Sequence, residues 1–190
     1  MDNREFFNNL AFNWDSMCRH DEKKLENILA LTSVKKGAKI LDVGTGTGIL
    51  IKYLLSTSPK KIVAVDIAEN MIIVAKEKYK DNRVNFIVKD IMKYTEDGFD
   101  YIFLYSVYPH FKDKDAILKH LSTLITGGGK VVIAHSQSKE KINEVHSKSE
   151  TVKEDKLPSG EATGKIMEKY FRVEKIIDNE NMYYVSGMKI

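Results

Sequence analysis

Five short runs of apolar, largely β-branched or aromatic residues recur along this 190-residue chain: KILDV (39–43), KIVAVD (61–66), VNFIV (84–88), FDYIFLY (99–105) and KVVIA (130–134). Each is apolar almost throughout, which suits strands covered on both faces rather than strands with one wet side. Between them lie stretches of helical spacing at 49–55, 70–80 and 114–125. The last puts Ile117, Leu118, Leu121, Leu124 and Ile125 on one stripe. Gly127, Gly128 and Gly129 are expected to stop that helix and turn the chain into the fifth strand. Strands alternating with helices in this way predict an α/β fold, a doubly wound, Rossmann-like three-layer sandwich around a mostly parallel sheet.

Two further runs, 171–178 and 181–190, are separated only by Asn179 and Glu180. A gap that short closes only an antiparallel hairpin, so one edge of the sheet is mixed. Residues 1–36 read as helices, with Phe6, Phe7, Leu10, Trp14 and Met17 on one face and Leu25, Ile28, Leu29 and Leu31 further on. One helix cannot bury that many aromatic residues, so this segment is expected to fold over a cleft as a lid. The polar stretch 146–160 reads as a surface loop or lid. The length fits one domain over 1–190, with 1–36 as its helical lid.

The most informative residues are ILDVGTGTG, Ile40 to Gly48: an apolar strand, an acid near its end, then glycines at alternate positions opening a helix. Glycines 44, 46 and 48 let the backbone turn sharply and let a ligand approach without meeting a Cβ. Dinucleotide loops place their third glycine one residue later, where the diphosphate presses on the helix terminus; here Ile49 stands there. The pattern favours a ligand with a carboxylate and an amine, groups that adenosylmethionine has, with Asp42 placed to help hold the amine. Asp66 ends the second strand, 18 residues after Gly48, where such folds place a carboxylate against the ribose hydroxyls. Asp90 follows the third strand, positioned to accept an adenine amino group with Ile91 or Met92 over the ring.

With these motifs the chain resembles the class I S-adenosylmethionine-dependent methyltransferases, in particular the compact branch of ubiquinone and menaquinone biosynthesis enzymes, over about residues 37–135. The resemblance implies the strand order 3-2-1-4-5-7-6 with strand seven antiparallel, and S-adenosylmethionine as cofactor. It implies that Asp42, Gly44, Thr45, Gly46 and Gly48 form the methionine-side loop. Asp66 would hold the ribose, Ile67 and Met71 would lie beside the adenine, and Asp90 with Ile91 would close the far end. TGGGKVVIA (126–134) resembles the family's fifth-strand motif, with Thr126 and Gly127 where a proline and glycine are usual.

Methyl transfer needs alignment and dryness first, and a base only for a weak nucleophile. After the fourth strand the chain reads YSVYPHF, Tyr105 to Phe111, without the Asn/Asp-Pro-Pro-Tyr/Phe signature of enzymes that methylate exocyclic base amines. Tyr108 and Phe111 are expected to line a small acceptor pocket. His110 and His135 each follow a strand on the cofactor side and are the expected catalytic bases. His135 and His146 lie 11 residues apart, unlike a compact metal motif, so no metal is expected.

Lysines and acids are interspersed, only four arginines occur, and the net charge is +3, which argues against a nucleic-acid partner. No apolar run is long enough to span a bilayer, and the N-terminus does not read as a secretory signal. A lone Cys18 agrees with a reducing, cytoplasmic setting. The expectation is therefore a cytoplasmic enzyme, monomer or homodimer, that methylates a small-molecule acceptor. An RNA or protein methyltransferase on the same fold, or a non-catalytic nucleotide-binding module, are the alternatives.

Overall fold

The computed structural model describes residues 2–18 and 20–190. Seven strands form one sheet: β1 (Lys39–Val43), β2 (Lys61–Asp66), β3 (Val84–Val88), β4 (Phe99–Tyr105), β5 (Ile125–His135), β6 (Phe171–Asp178) and β7 (Tyr183–Lys189). Their order is β3-β2-β1-β4-β5-β7-β6. The first five run parallel, and β7 pairs antiparallel with both β5 and β6. Both the doubly wound order and the hairpin at one edge agree with the sequence reading.

The period of two along each strand divides the core into two layers. Leu41, Val43, Val63, Val65, Ile102 and Leu104 join one cluster, which takes in Ile117, Leu118 and Leu121 of α6 (Lys114–Leu124) and Met167 of α8 (Gly160–Met167). Ile40, Ile62, Ala64, Tyr101 and Phe103 join the other, with Leu25 and Ile28 of α3 (Glu22–Thr32), Ile51 and Leu54 of α4 (Ile51–Ser56), and Ile72 and Ala75 of α5 (Glu69–Lys78). Each Val, Leu, Ile, Phe or Met side chain among them, taken fully from water, contributes about 1.5–3 kcal/mol. Side-chain caps start the helices: Asp21 accepts from the Lys24 N–H ahead of α3, and Asp113 from the Ala116 N–H ahead of α6.

Several boundaries differ from the sequence reading. The glycine run does not precede the fifth strand but lies inside it. β5 starts at Ile125, and the register against β4 jumps from Phe99↔Ile125 to Tyr101↔Lys130, so residues 126–129 form a bulge. Gly129 is needed there, because a Cβ would stand 3.0 Å from the Asp100 carbonyl oxygen. Helix α7 (Lys139–Ser147) runs into the stretch read as loop, capped by Ser138, and α8 begins where that stretch ends. The glycines that weaken the helical signal of α8 have a packing reason: a Cβ on Gly160 or Gly164 would lie 2.8 Å from the Ile176 side chain of β6. At the N-terminus, α1 (Asn3–Leu10) and α2 (Trp14–Met17) are separated by a 3-10 turn over Ala11–Asn13. That break leaves Met17 59% exposed, instead of on one continuous face with Phe6 and Phe7. No helix among the described residues is long and apolar enough to cross a membrane.

Candidate active site

A crevice of about 260 Å³ opens at the carboxyl ends of the parallel strands. Parallel strands with helices on both faces place their βα loops there, and β1 and β4 lie on either side of the point where the chain order reverses. Its walls are the loop after β1 (Val43–Thr47), the end of β2 with Asp66 and Ile67, Met71 of α5, the turn Lys89–Met92 after β3, and the segment Tyr105–Val107 with His110 and Phe111 after β4. Asn3, Phe7, Trp14 and His20 close it from the N-terminal segment.

The glycines of the first loop serve different ends. Gly44, at φ +65°, has no room for a side chain, because a Cβ would fall 2.3 Å from Val107 Cγ2. Gly46, at φ +56°, would direct a Cβ into open space with nothing within 4 Å. It is the position at which a ligand can come down onto backbone. Gly48 does not line the crevice; its bare Cα accepts the Tyr79 ring, which a Cβ would meet at 3.0 Å.

The acids are placed with similar division. Asp66 lines the crevice and holds the loop, with Oδ2 accepting from the Gly46 N–H at 2.8 Å and Oδ1 from the Ala68 N–H at 2.9 Å. Burial raises its pKa above the usual carboxylate value, against those hydrogen bonds. Asp90 and Ile91 line the far end beside Met92, with Asp90 capping its turn through the Met92 N–H at 3.0 Å. Ile67 and Met71 lie between Asp66 and Asp90 on the wall. Asp42, expected to help hold an amine, is instead 1% exposed and absent from the crevice wall. Its carboxylate accepts the Thr45 hydroxyl at 2.6 Å, and burial pushes its pKa up to about 7. It shapes the loop from beneath.

Of the two histidines expected to act on an acceptor, His110 lines the crevice and His135 does not. His135 is 1% exposed, neither ring nitrogen has a partner among the described residues, and burial takes its pKa down to about 3. Being the last residue of β5, it turns into the packing against Tyr183 of β7, with ring centroids 5.9 Å apart. His110 Nδ1 is 2.8 Å from Asp155 Oδ2, and its ring meets Phe7 edge-on at 5.0 Å. Tyr108 is fully buried in the core, whereas Phe111 reaches the crevice.

Sequence reasoning missed several groups here. Asp15 accepts from the Thr47 hydroxyl at 2.5 Å and pairs with Lys78 Nζ at 2.6 Å, fastening the N-terminal segment to the glycine loop and to α5. His20 Nδ1 lies 2.7 Å from the Tyr105 hydroxyl, which donates to Ser136 Oγ at 2.9 Å. An acid directly after the sole tryptophan was the available signal for Asp15. Asp155 lies in a polar stretch that gives none. No cluster of three or more His, Cys, Asp or Glu among the described residues is arranged to hold a metal ion.

A family model described as "Methyltransferase domain" matches residues 34–183. The chain belongs to this family, the class I S-adenosylmethionine-dependent methyltransferases. The match leaves the crevice-covering segment before residue 34 outside it. Among curated relatives, a malonyl-[acyl-carrier protein] O-methyltransferase 1 of Ilyobacter polytropus is 35% identical over 125 residues, 64% of this chain and 46% of that protein. The chain spans about half the length of the first curated relatives it matches. Among solved structures, a chain from the complex of the Haloferax volcanii Trm112 methyltransferase activator with a methyltransferase has a TM-score of 0.85 at 17% identity, over 98% of this chain and 96% of that one. An S-adenosylmethionine-dependent methyltransferase of Aquifex aeolicus has a TM-score of 0.74 at 20% identity, each chain covered fully (100%). At such identities these two structures speak for the fold.

The cofactor of this methyltransferase family is S-adenosylmethionine. The crevice residues fit it on their own chemistry. Gly46 offers uncovered backbone, Asp66 a carboxylate at the lip, and Ile67, Met71 and Ile91 an apolar slot ending at Asp90.

Proposed function

We propose that this chain transfers a methyl group from S-adenosylmethionine to a small-molecule acceptor. The observation that carries the reading is the pairing of Asp66 with the open backbone of Gly46, at a turn on the crevice wall where a Cβ would meet nothing within 4 Å. In this reading Thr45, Gly46 and the loop that Asp42 and Gly48 support receive the methionine end. Asp66 accepts the ribose hydroxyls, Ile67, Met71 and Ile91 sandwich the adenine, and Asp90 accepts its amino group. When bound, the cofactor supplies a methyl group on a sulfonium, whose sulfur is already a good leaving group.

What remains for the protein is alignment, exclusion of water and, for a weak nucleophile, removal of a proton. Helices α1 and α2 act as the lid: Asp15 ties them to Thr47 and Lys78, and Phe7 and Trp14 roof the crevice. His110 stands on the acceptor side. A crevice this small, roofed by aromatic side chains, supports a compact acceptor.

Incubation with methyl-labelled cofactor and fractionated small-molecule extracts tests this. The expected result is label in a low-mass product. Label appearing only in RNA or protein, or no transfer into any fraction, would overturn it.

A further inference from the structure

Three parts of the chain that are remote in sequence meet at one carboxylate. Asp155 belongs to the segment 148–159 between α7 and α8 and is 8% exposed. Its Oδ2 faces His110 Nδ1 at 2.8 Å and accepts from Asn3 Nδ2 of α1 at 3.3 Å. Its own backbone carbonyl faces His146 Nδ1 at 2.5 Å. The His110 and His146 rings lie 5.0 Å apart, inclined by 30°. Burial alone would raise the Asp155 pKa, but the hydrogen bond and charge of His110, the hydrogen bond from Asn3 and the charge of His146 together outweigh it and hold the group below the usual carboxylate value.

These contacts fix protons. A carbonyl oxygen only accepts, so His146 carries its proton on Nδ1. An ionised carboxylate only accepts, so His110 does the same. In a neutral imidazole the other nitrogen then holds a free lone pair. His110 Nε2 has no hydrogen-bond partner among the described residues and is not sealed from solvent. It therefore opens to the crevice that the residue lines.

We infer that Asp155 is a positioning residue that holds His110 in the Nδ1–H tautomer, presenting Nε2 as base to a protic acceptor: a hydroxyl, thiol or amine that still carries its proton, rather than a carboxylate. This rests on the methyl-transfer reading of the site. The acceptor atom X bonds to the methyl carbon as its proton passes to Nε2, and the carbon–sulfur bond breaks with its electron pair going to sulfur. The positive charge once on sulfur ends on the His110 imidazolium, against the Asp155 carboxylate. An ionised carboxylate acceptor has no proton to give, and a lone pair at Nε2 repels it.

The test needs no acceptor at first. Long-range ¹H–¹⁵N spectra of the full chain report which nitrogen of each imidazole is protonated. His110 and His146 are both expected as Nδ1–H. In Asp155→Ala, His110 should lose that preference while His146, held by the backbone carbonyl, keeps it. An unchanged His110, or His110 protonated at Nε2 in the parent chain, would overturn the inference. Should both histidines change, the segment itself has moved, and Asp155→Asn decides: its amide oxygen keeps the tautomer but removes the charge beside the imidazolium. With an acceptor found by label transfer, Asp155→Asn should lower kcat about 10- to 100-fold with adenosylhomocysteine affinity unchanged. Equal kcat, or an acceptor that proves to be a carboxylate, would overturn it. Absence of label transfer with the tautomers as expected would fault the function and leave the positioning intact.

Discussion

Replacing Asp42 by asparagine isolates what a buried acid contributes beneath the glycine loop. The carboxyl is 1% exposed and receives one side-chain hydrogen bond, from Thr45 at 2.6 Å. Burial, with the Asp66 charge nearby, takes its pKa from 3.8 to about 7. The folded chain thus binds this proton more tightly than the unfolded chain does. Its stabilising effect is complete below the unfolded value and is lost as the pH rises through the folded one. Between pH about 5 and about 8.5 the parent should lose on the order of 3 kcal/mol from this group alone, at 1.36 kcal/mol per pKa unit. Asparagine cannot ionise, and its amide oxygen still accepts the Thr45 proton. Urea unfolding of both chains across this range should therefore show an advantage for Asp42→Asn that widens by about that amount from the acid end to the alkaline end. Parallel profiles would refute the reasoning and mean that the carboxylate is already ionised in the folded chain.

The two crevice glycines should fail in different ways. Gly44→Ala puts a methyl group 2.3 Å from Val107 Cγ2 at a positive φ and is expected to lower unfolding stability by about 2–4 kcal/mol. Gly46→Ala carries only backbone strain of about 1 kcal/mol, yet it should weaken adenosylhomocysteine binding at least about tenfold, because its methyl enters the ligand's space. Trp14, the sole tryptophan, lines the crevice, so its fluorescence should change as adenosylhomocysteine is titrated in; a silent signal with binding proven by calorimetry would count against the lid. For His135 the sign is opposite to that of Asp42: its folded pKa of about 3 lies below 6.5, so stability is present above 6.5 and lost as the pH falls. His135→Leu should remove about 2 kcal/mol of acid sensitivity between pH about 7 and about 5, as read by thermal unfolding.

The centre of the sheet was legible because β1, β2, β4 and the end of β5 are buried on both faces, and only a continuous apolar run such as KIVAVD satisfies that; the edge strand β3, expected to be covered likewise, instead leaves Asn85 and Val88 exposed. The turn positions of Gly46, Asp66 and Asp90 were legible for a related reason: in a doubly wound sheet, residues that follow a strand stand at the same edge as one another. Two kinds of information were not. Which way a strand-end side chain faces depends on pleat and register, so His135 and His110 looked alike, though one ends a strand inside the core and the other ends a 3-10 turn beyond β4. Contacts between segments remote in the chain have no local pattern either. Asp155 meets His110 across 45 residues and Asn3 across 152, and Asp15 meets Thr47 across 32. Helix α8 escaped because its two glycines lower helix propensity while serving contact with β6.

Calorimetric titration of adenosylhomocysteine into the parent chain and into Asp66→Ala puts the central claim to its most direct test. Asp66 lines the crevice and braces the Gly46 backbone, and in the proposed reading it is the acid that meets the ribose. Losing a charged acceptor for two hydroxyls in a partly dry site should weaken binding by about 2–3 kcal/mol, about 30- to 150-fold in Kd. Thermal unfolding of the variant, run alongside, confirms that the loop still folds without the bonds to Gly46 and Ala68. The account predicts one site per chain and that loss of affinity. A folded parent chain that does not bind the ligand, or a folded variant that binds it as tightly as the parent, would contradict it.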